Sequence, residues 1–173
     1  MKIALLLLLS LNAYAFKAVN FSARFGSAQV DSEDATSSGT GFMIQSELFI
    51  ENNWGVIATY GYTDTESDDE VATLSGNLRS ELSIQNSYLQ GGVFYYILPG
   101  LRAAAGLSYH SIDVEINEVN RETDESSENY LGYFASIGYA HAFSNIILGA
   151  EYNMIKFDEY DQSGLFLIIG LLF

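Results

Sequence analysis

"GLFLIIGLLF", residues 164–173, is the stretch whose reading decides the fold. It is apolar from Leu165 to Phe173 apart from Gly170, and it carries no charge. A helix that crosses a membrane needs about 20 apolar residues, whereas a tilted membrane-spanning strand needs about 9–11. At period two, Leu165, Leu167, Ile169, Leu171 and Phe173 fall on one face. The stretch therefore reads as one strand whose length matches a bilayer.

Working back along the chain, the same alternation recurs. Val19, Phe21, Ala23 and Phe25 share a face opposite Asn20, Ser22, Arg24 and Gly26. Phe42, Ile44, Leu48 and Ile50 oppose Gln45 and Glu47; Trp54, Val56, Ala58, Tyr60 and Tyr62 oppose Gly55, Thr59, Gly61 and Thr63. Leu101, Ala103, Ala105, Leu107 and Tyr109 oppose Arg102, Gly106, Ser108 and His110. Leu131, Tyr133, Ala135, Ile137 and Tyr139 oppose Gly132, Ser136 and Gly138, and Ile146, Leu148, Ala150 and Tyr152 oppose Gly149, Glu151 and Asn153. Strict alternation is the signature of a strand with two different faces. The fourth run breaks phase: Leu89, Val93, Tyr95 and Ile97 agree, but Leu82 and Ile84 belong to the other face, which predicts a β-bulge near Asn86.

The connections between these eight runs alternate in length. "ENN" (51–53), "LPG" (98–100) and "FSN" (143–145) are short and rich in turn formers. "DSEDATSSGTG" (31–41), "DTESDDEVATLSGN" (64–77), "EINEVNRETDESSEN" (115–129) and "DEYDQ" (158–162) are longer, polar and acidic. Short turns at one end and long loops at the other are the plan of an outer-membrane up-and-down barrel. The expected fold is all-β: an eight-stranded antiparallel up-and-down transmembrane β-barrel with four acidic extracellular loops. A soluble ligand-carrying barrel would place its apolar face inward; here the other face is mostly Gly, Ser, Thr, Asn and Gln, which suits a small polar lumen. Trp54, Tyr62, Tyr109, Tyr139 and Phe173 lie near strand ends, where a membrane barrel carries its aromatic girdles.

The N-terminal "MKIALLLLLSLNAYAFK" has a basic start at Lys2, a short apolar core and a small-x-small site at Ala13-Tyr14-Ala15. This is the pattern of an export signal cleaved after residue 15, leaving residues 16–173 as the barrel. The absence of cysteine rules out disulfides and thiolate metal sites. One proline, 15 glycines, 12 tyrosines and 11 phenylalanines fit a β-rich chain. A net charge of −15, with only seven Lys and Arg residues, argues against nucleic acid, which needs clustered cations.

Three segments carry a resemblance to a known family. "GFMIQSELFIENNWGVIATYGYTDTE" (41–66) is similar to the second hairpin of the Ail/OmpX (Ail/Lom) family of small eight-stranded outer-membrane proteins. "SYLQGGVFYYILPGLRAAAGLSYH" (87–110) and "YLGYFASIGYAHAFSNIILGAEYN" (130–153) resemble its later aromatic turns and Gly-rich strands. The ending "GLLF" departs from the family's G-Y-x-F. The resemblance implies surface exposure and, in some members, adhesion to host matrix or serum proteins and resistance to complement. It also implies that the barrel-assembly machinery reads the C-terminal strand.

Candidate chemistry follows from which residues face inward. Arg24, Glu47, Arg102 and Glu151 are all expected inside the lumen, and buried charges must be paired, so they predict a lumenal polar network. Eight strands leave an interior just wide enough for side chains, so free diffusion of solutes is not expected. Asp64, Glu66, Asp68, Asp69 and Glu70 form an acidic loop suited to a divalent cation or a basic partner. "DTESDDE" lacks the spacing and glycine of an EF-hand, so no metal or cofactor is assigned. Catalysis needs a nucleophile beside a base, yet His110 and Ser111 adjoin on a strand and point to opposite faces; His141 is expected at the periplasmic rim. The expected role is structural or surface interaction, of the adhesion or serum-resistance type. Expected partners are outer-membrane lipid and lipopolysaccharide, the assembly machinery, and a host or surface protein. A small gated channel with a charged lumen is the alternative, and a lipid-modifying enzyme comes third.

Overall fold

The computed structural model describes residues 18–31, 36–73, 76–118 and 124–173, with side chains described except over 68–82 and 116–125. The proposed export signal lies outside these residues. Eight strands run β1 (Ala18–Asp31), β2 (Thr36–Phe49), β3 (Trp54–Thr73), β4 (Gly76–Leu98), β5 (Leu101–Glu118), β6 (Asp124–Phe143), β7 (Ile146–Phe157) and β8 (Tyr160–Leu172). Each pairs antiparallel with its neighbours in sequence, and β1 pairs with β8, so the sheet closes into a barrel. The "GLFLIIGLLF" stretch is the closing strand. Its last residue joins the ladder too, since Phe173 and Val19 exchange backbone hydrogen bonds of 2.9 and 3.2 Å.

The alternation read from the sequence sorts the side chains into two environments. Phe21, Phe25, Leu89, Leu107, Leu131, Leu165, Leu167 and Ile169 stand exposed on the outside, Leu131 with 79% of its surface open. Their partners in the alternation, such as Ser22, Arg24, Gln45, Thr59, Gln90, Ser108 and Glu151, are buried inside. An apolar belt around a polar interior is the reverse of a water-soluble barrel and matches a wall facing lipid. No helix among the described residues is long and apolar enough to cross a membrane; the strands do the crossing.

Three expectations are corrected. First, there is no bulge near Asn86: β4 keeps continuous register with β3 and β5 there, and its one shift lies between Tyr96 and Leu98. Ile84, Asn86, Tyr88 and Gln90 all point inward, so Ile84 breaks the polar pattern because its end of the lumen is itself apolar. Leu82 falls outside the described side chains.

Second, the acidic connections are mostly strand. β3 and β4 pair as far as Thr73↔Gly76, and β5 and β6 as far as Ile116↔Asp124. The "DEYDQ" connection is a two-residue turn at 158–159, flanked by the pair Phe157↔Tyr160, with Asp158 in the left-handed region at φ 49°. Acidic residues do not stop a ladder when their side chains stand in water and the backbone groups find partners. Third, the lumen is less polar than its alternation suggested. Met43, Ile57, Phe94, Phe134 and Phe166 are buried among the polar residues and form an apolar cluster. Dispersion contacts fill a narrow barrel better than short polar side chains can.

Candidate functional site

The lumen is layered. Its first layer from the short-turn end is a ring of four charges, one each from β1, β2, β5 and β7. Arg24 donates to Glu151, and Arg102 donates to both Glu47 and Glu151. Arg24 Nη2 also stands 3.6 Å from Glu47 Oε1, so each arginine faces both carboxylates. Register puts them there: Asn20 pairs with Glu47, and Arg102 and Glu151 sit on either side of Gly138. A Cβ on Gly138 would lie only 3.0 Å from the Cβ of Glu151, so the glycine clears the ground on which the two charges meet.

Amides complete the ring. Asn20 Nδ2 donates to Glu47 at 3.0 Å, Gln45 Nε2 donates to Glu47 at 2.7 Å, and Thr59 Oγ1 donates to Gln45 at 3.1 Å. The four charged residues are at most 5% exposed. Taken out of water, such charges persist only where partners compensate them, and two arginines with two glutamates balance to zero.

The middle layer is the apolar cluster around Met43, Phe134 and Phe166, and Phe94 of the same cluster packs edge-on against Phe49 and Tyr96. Above it the chain stacks rings. His110 lies on Phe157 with centroids 4.1 Å apart and planes 19° off parallel; Phe157 stacks on Tyr160 at 5.5 Å. Tyr88 occupies the space left by Gly61 on the paired strand, where a Cβ would sit 2.2 Å from the tyrosine Cζ. Asn86 Nδ2 lies 3.1 Å from His110 Nδ1 and donates to Gln162 at 2.6 Å. Val30, Ile84 and Ile112 close this end, each at most 4% exposed. Outside the belt, Tyr130 donates to Glu128, and that hydrogen bond pushes its phenol up to about 12.

The structure thus brings Arg24, Glu47, Arg102 and Glu151 together. Trp54, Tyr139 and Phe173 lie on the outside near the short turns, and Tyr62 and Tyr109 on the outside near the far edge of the apolar belt. Asp64 and Glu66 stand on β3 beyond that edge; Asp68, Asp69 and Glu70 belong to the same strand, but their side chains are outside the described set. Among the described residues, no group of three or more His, Cys, Asp or Glu side chains could hold a metal. His110 is buried and its hydrogen-bond partner is an amide; His141 is exposed and touches Phe143. Sequence reasoning missed the ring stack of Tyr88, His110, Phe157 and Tyr160. His110 sits in the inward set of its alternation, but Tyr160 lies in the stretch that reads as a loop and Phe157 just before it, and only closure of the barrel sets β4 and β5 across from β7 and β8.

Residues 3–173 match the family described as outer membrane protein beta-barrel domain. No curated protein matches the sequence. Among solved structures the chain is similar to Ail, the attachment invasion locus protein of Yersinia pestis, in complex with the heparin analogue sucrose octasulfate. The TM-score is 0.64 at 16% identity, covering 90% of this chain and 98% of that one. It is also similar to OprG from Pseudomonas aeruginosa, with TM-score 0.54, 13% identity and coverages of 92% and 98%. Neisserial surface protein A follows with TM-score 0.51, 13% identity and coverages of 89% and 97%. At these identities the likeness is one of fold: an Ail-type eight-stranded barrel.

Proposed function

Since the chain belongs to the outer membrane protein beta-barrel family, we propose that it is a surface-interaction barrel whose extracellular sheet captures an extended, basic segment of a partner protein. In outer-membrane barrels the short turns face the periplasm, which puts the acidic hairpins outside the cell. The observation that carries the reading is the unequal height of the wall. β3 to β6 run well past their neighbours: β7 pairs with β6 only as far as Gly132↔Phe157, leaving 124–131 bonded, among the described residues, to β5 alone. On the other side β2 stops pairing with β3 at Ser38↔Glu66, leaving 67–73 bonded, among the described residues, to β4 alone. An open edge offers a row of backbone donors and acceptors to a further strand.

The face beside those edges sets the charge of the partner. A groove of about 280 Å³ on the projecting sheet is lined by Ser83, Gln85, Asp113, Val114, Glu115, Ser126 and Ser127. Asp64 and Glu66 stand on the same sheet. This field steers cations and repels anions. A polysulfated ligand such as the one in the Ail complex is therefore a poor match here. The test uses cells that lack their own small barrels. They display either the whole chain, an Asp113→Lys/Glu115→Lys variant, or a variant with 68–81 replaced by an Asn-Gly turn. Salt-sensitive capture of an extended lysine-rich peptide, lost in both variants and not matched by sucrose octasulfate, is the expected result. Serum survival and matrix-protein binding are scored on the same cells. Equal capture by all three forms would overturn the reading and leave a structural barrel.

Other parts of the molecule take supporting roles in this reading. The C-terminal strand is the segment the assembly machinery recognises, and Trp54, Tyr139 and Phe173 with Tyr62 and Tyr109 anchor the barrel in the lipid interfaces. Residues 1–15 direct export. A second reading, a narrow gated channel, is favoured by one specific feature: the ring of Arg24, Glu47, Arg102 and Glu151 stands across the lumen, where exchange of ion-pair partners would open or close a water path. No catalytic role is assigned, because His110 and Ser111 belong to opposite faces of β5.

A further inference from the structure

Above the β7–β8 turn the wall of the barrel has a notch. β7 leaves β6 at Gly132↔Phe157 and turns back through Asp158 and Glu159, while β6 continues to Asp124 with, among the described residues, only β5 beside it. A strand added to that edge of β6 would lie over the turn, in the line that β7 vacates. The side chains it would meet belong to the inward face. Glu128 and Tyr130 fall in the same alternate set as Phe134 and Ser136, which are buried in the lumen. Three rings converge there: Tyr130 stands 6.1 Å from both Phe157 and Tyr160, and Phe157 lies on Tyr160 at 5.5 Å. Phe157 is buried, whereas Tyr130 and Tyr160 are only half-buried.

The notch is acidic as well as aromatic. Tyr130 donates its hydroxyl to Glu128, which holds that carboxylate beside the rings. Asp158 and Glu159 are exposed in the turn below. Burial raises the Tyr160 phenol, and Glu128, Glu159 and Asp158 raise it further, so three carboxylates stand around one aromatic surface. Among the described residues no cation pairs with them: Arg24 and Arg102 are held in the lumenal ring, and Lys156 pairs with Asp161 at 3.1 Å. In an antiparallel pair, residues directly opposite share a face with their Cβ atoms about 4.5–5.5 Å apart. A guest residue opposite Glu128 therefore points inward, next to that carboxylate and toward Tyr130 and Tyr160. Guest residues opposite Ser127 and Asn129 point outward, and the next inward position faces the uncharged Ser126. One guest position alone meets a carboxylate and an aromatic surface together. A guanidinium suits both, since it is flat enough to stack on a ring and gives a carboxylate two hydrogen bonds; an ammonium is a point charge.

We infer, building on the capture reading above, that the open edge of β6 is where the extended segment docks, and that Glu128, Tyr130 and Tyr160 together select a single arginine in it. The full-length protein in lipid nanodiscs is titrated with an extended Ser/Thr-rich peptide carrying one central arginine while backbone amide shifts are followed. Two control peptides carry lysine or the neutral isostere citrulline at the same place. The expected result is saturable shifts over 126–130, with the arginine peptide bound about tenfold more tightly than the citrulline peptide and also more tightly than the lysine peptide. Glu128→Gln and Tyr130→Leu should each bring the three peptides level, and heat-modifiable gel mobility checks that both variants are folded barrels. No binding of the arginine peptide, equal binding of all three to the wild type, or a preference that survives in either folded variant overturns the inference. Capture of the lysine-rich peptide by displaying cells is scored separately. If it persists in any of those cases, the surface-interaction reading stands without arginine selection; if it is absent too, both fall.

Discussion

At the scale of single residues, the charge ring is the most demanding feature of the molecule. Glu47 accepts from Arg102, Asn20 and Gln45, and Glu151 accepts from both arginines. Removing one member of a buried ion network leaves its partners desolvated and uncompensated, which costs about 3–5 kcal/mol. Arg102→Ala is therefore expected to destabilise the folded barrel by about that amount, because it leaves two buried carboxylates to share the one remaining arginine of the ring, Arg24. Equilibrium urea unfolding in lipid vesicles measures it, and a loss below about 1 kcal/mol would show that water reaches the ring freely. The four residues could be named from the sequence because each sits at an inward position of an alternating strand. Their pairing could not: the arginine and glutamate that meet are up to 127 positions apart, and local periodicity says nothing about such a distance.

At the scale of elements, β8 carries two properties in one strand. Its outward residues Leu165, Leu167, Ile169 and Leu171 face lipid, and its backbone closes the sheet against β1, down to the mutual hydrogen bonds of Val19 and Phe173. If the terminal aromatic is an assembly signal, Phe173→Ala should lower the folded fraction in cells several-fold. Refolding of the purified chain into detergent should stay close to wild type, since backbone hydrogen bonds do not depend on the side chain. Heat-modifiable mobility on gels reads both, and equal losses in cells and in detergent would reduce Phe173 to a packing residue. The tall strands β3 to β6 teach a different lesson. Their acidic, turn-rich composition reads as loop, yet antiparallel pairing continues through it; strand propensity depends more on cross-strand context than on the residue alone.

At the scale of the whole molecule, the two ends of the lumen differ. The short-turn end has a wide mouth of about 490 Å³ that stops short of the charge ring, while Val30, Ile84, Ile112 and Phe157 close the far end. Purified barrel in a planar bilayer should accordingly show no steady open level. A current that appears in Arg102→Ala alone would instead place the gate at the ring and favour the channel reading. The sequence by itself determined the number of strands, their inward and outward faces outside the fourth run, and the end at which three short turns gather. All of these follow from a period of two and from turn chemistry, which are local. Only the tertiary structure decided that Arg24, Glu47, Arg102 and Glu151 form one ring and that His110 stacks on Phe157. It alone showed that aromatic and aliphatic side chains fill the space between, and that four strands outgrow the rest. Those facts depend on the register of each hydrogen-bonded pair and on which strands closure sets opposite one another across the lumen. Register and closure are properties of the whole ladder, and no single segment carries them.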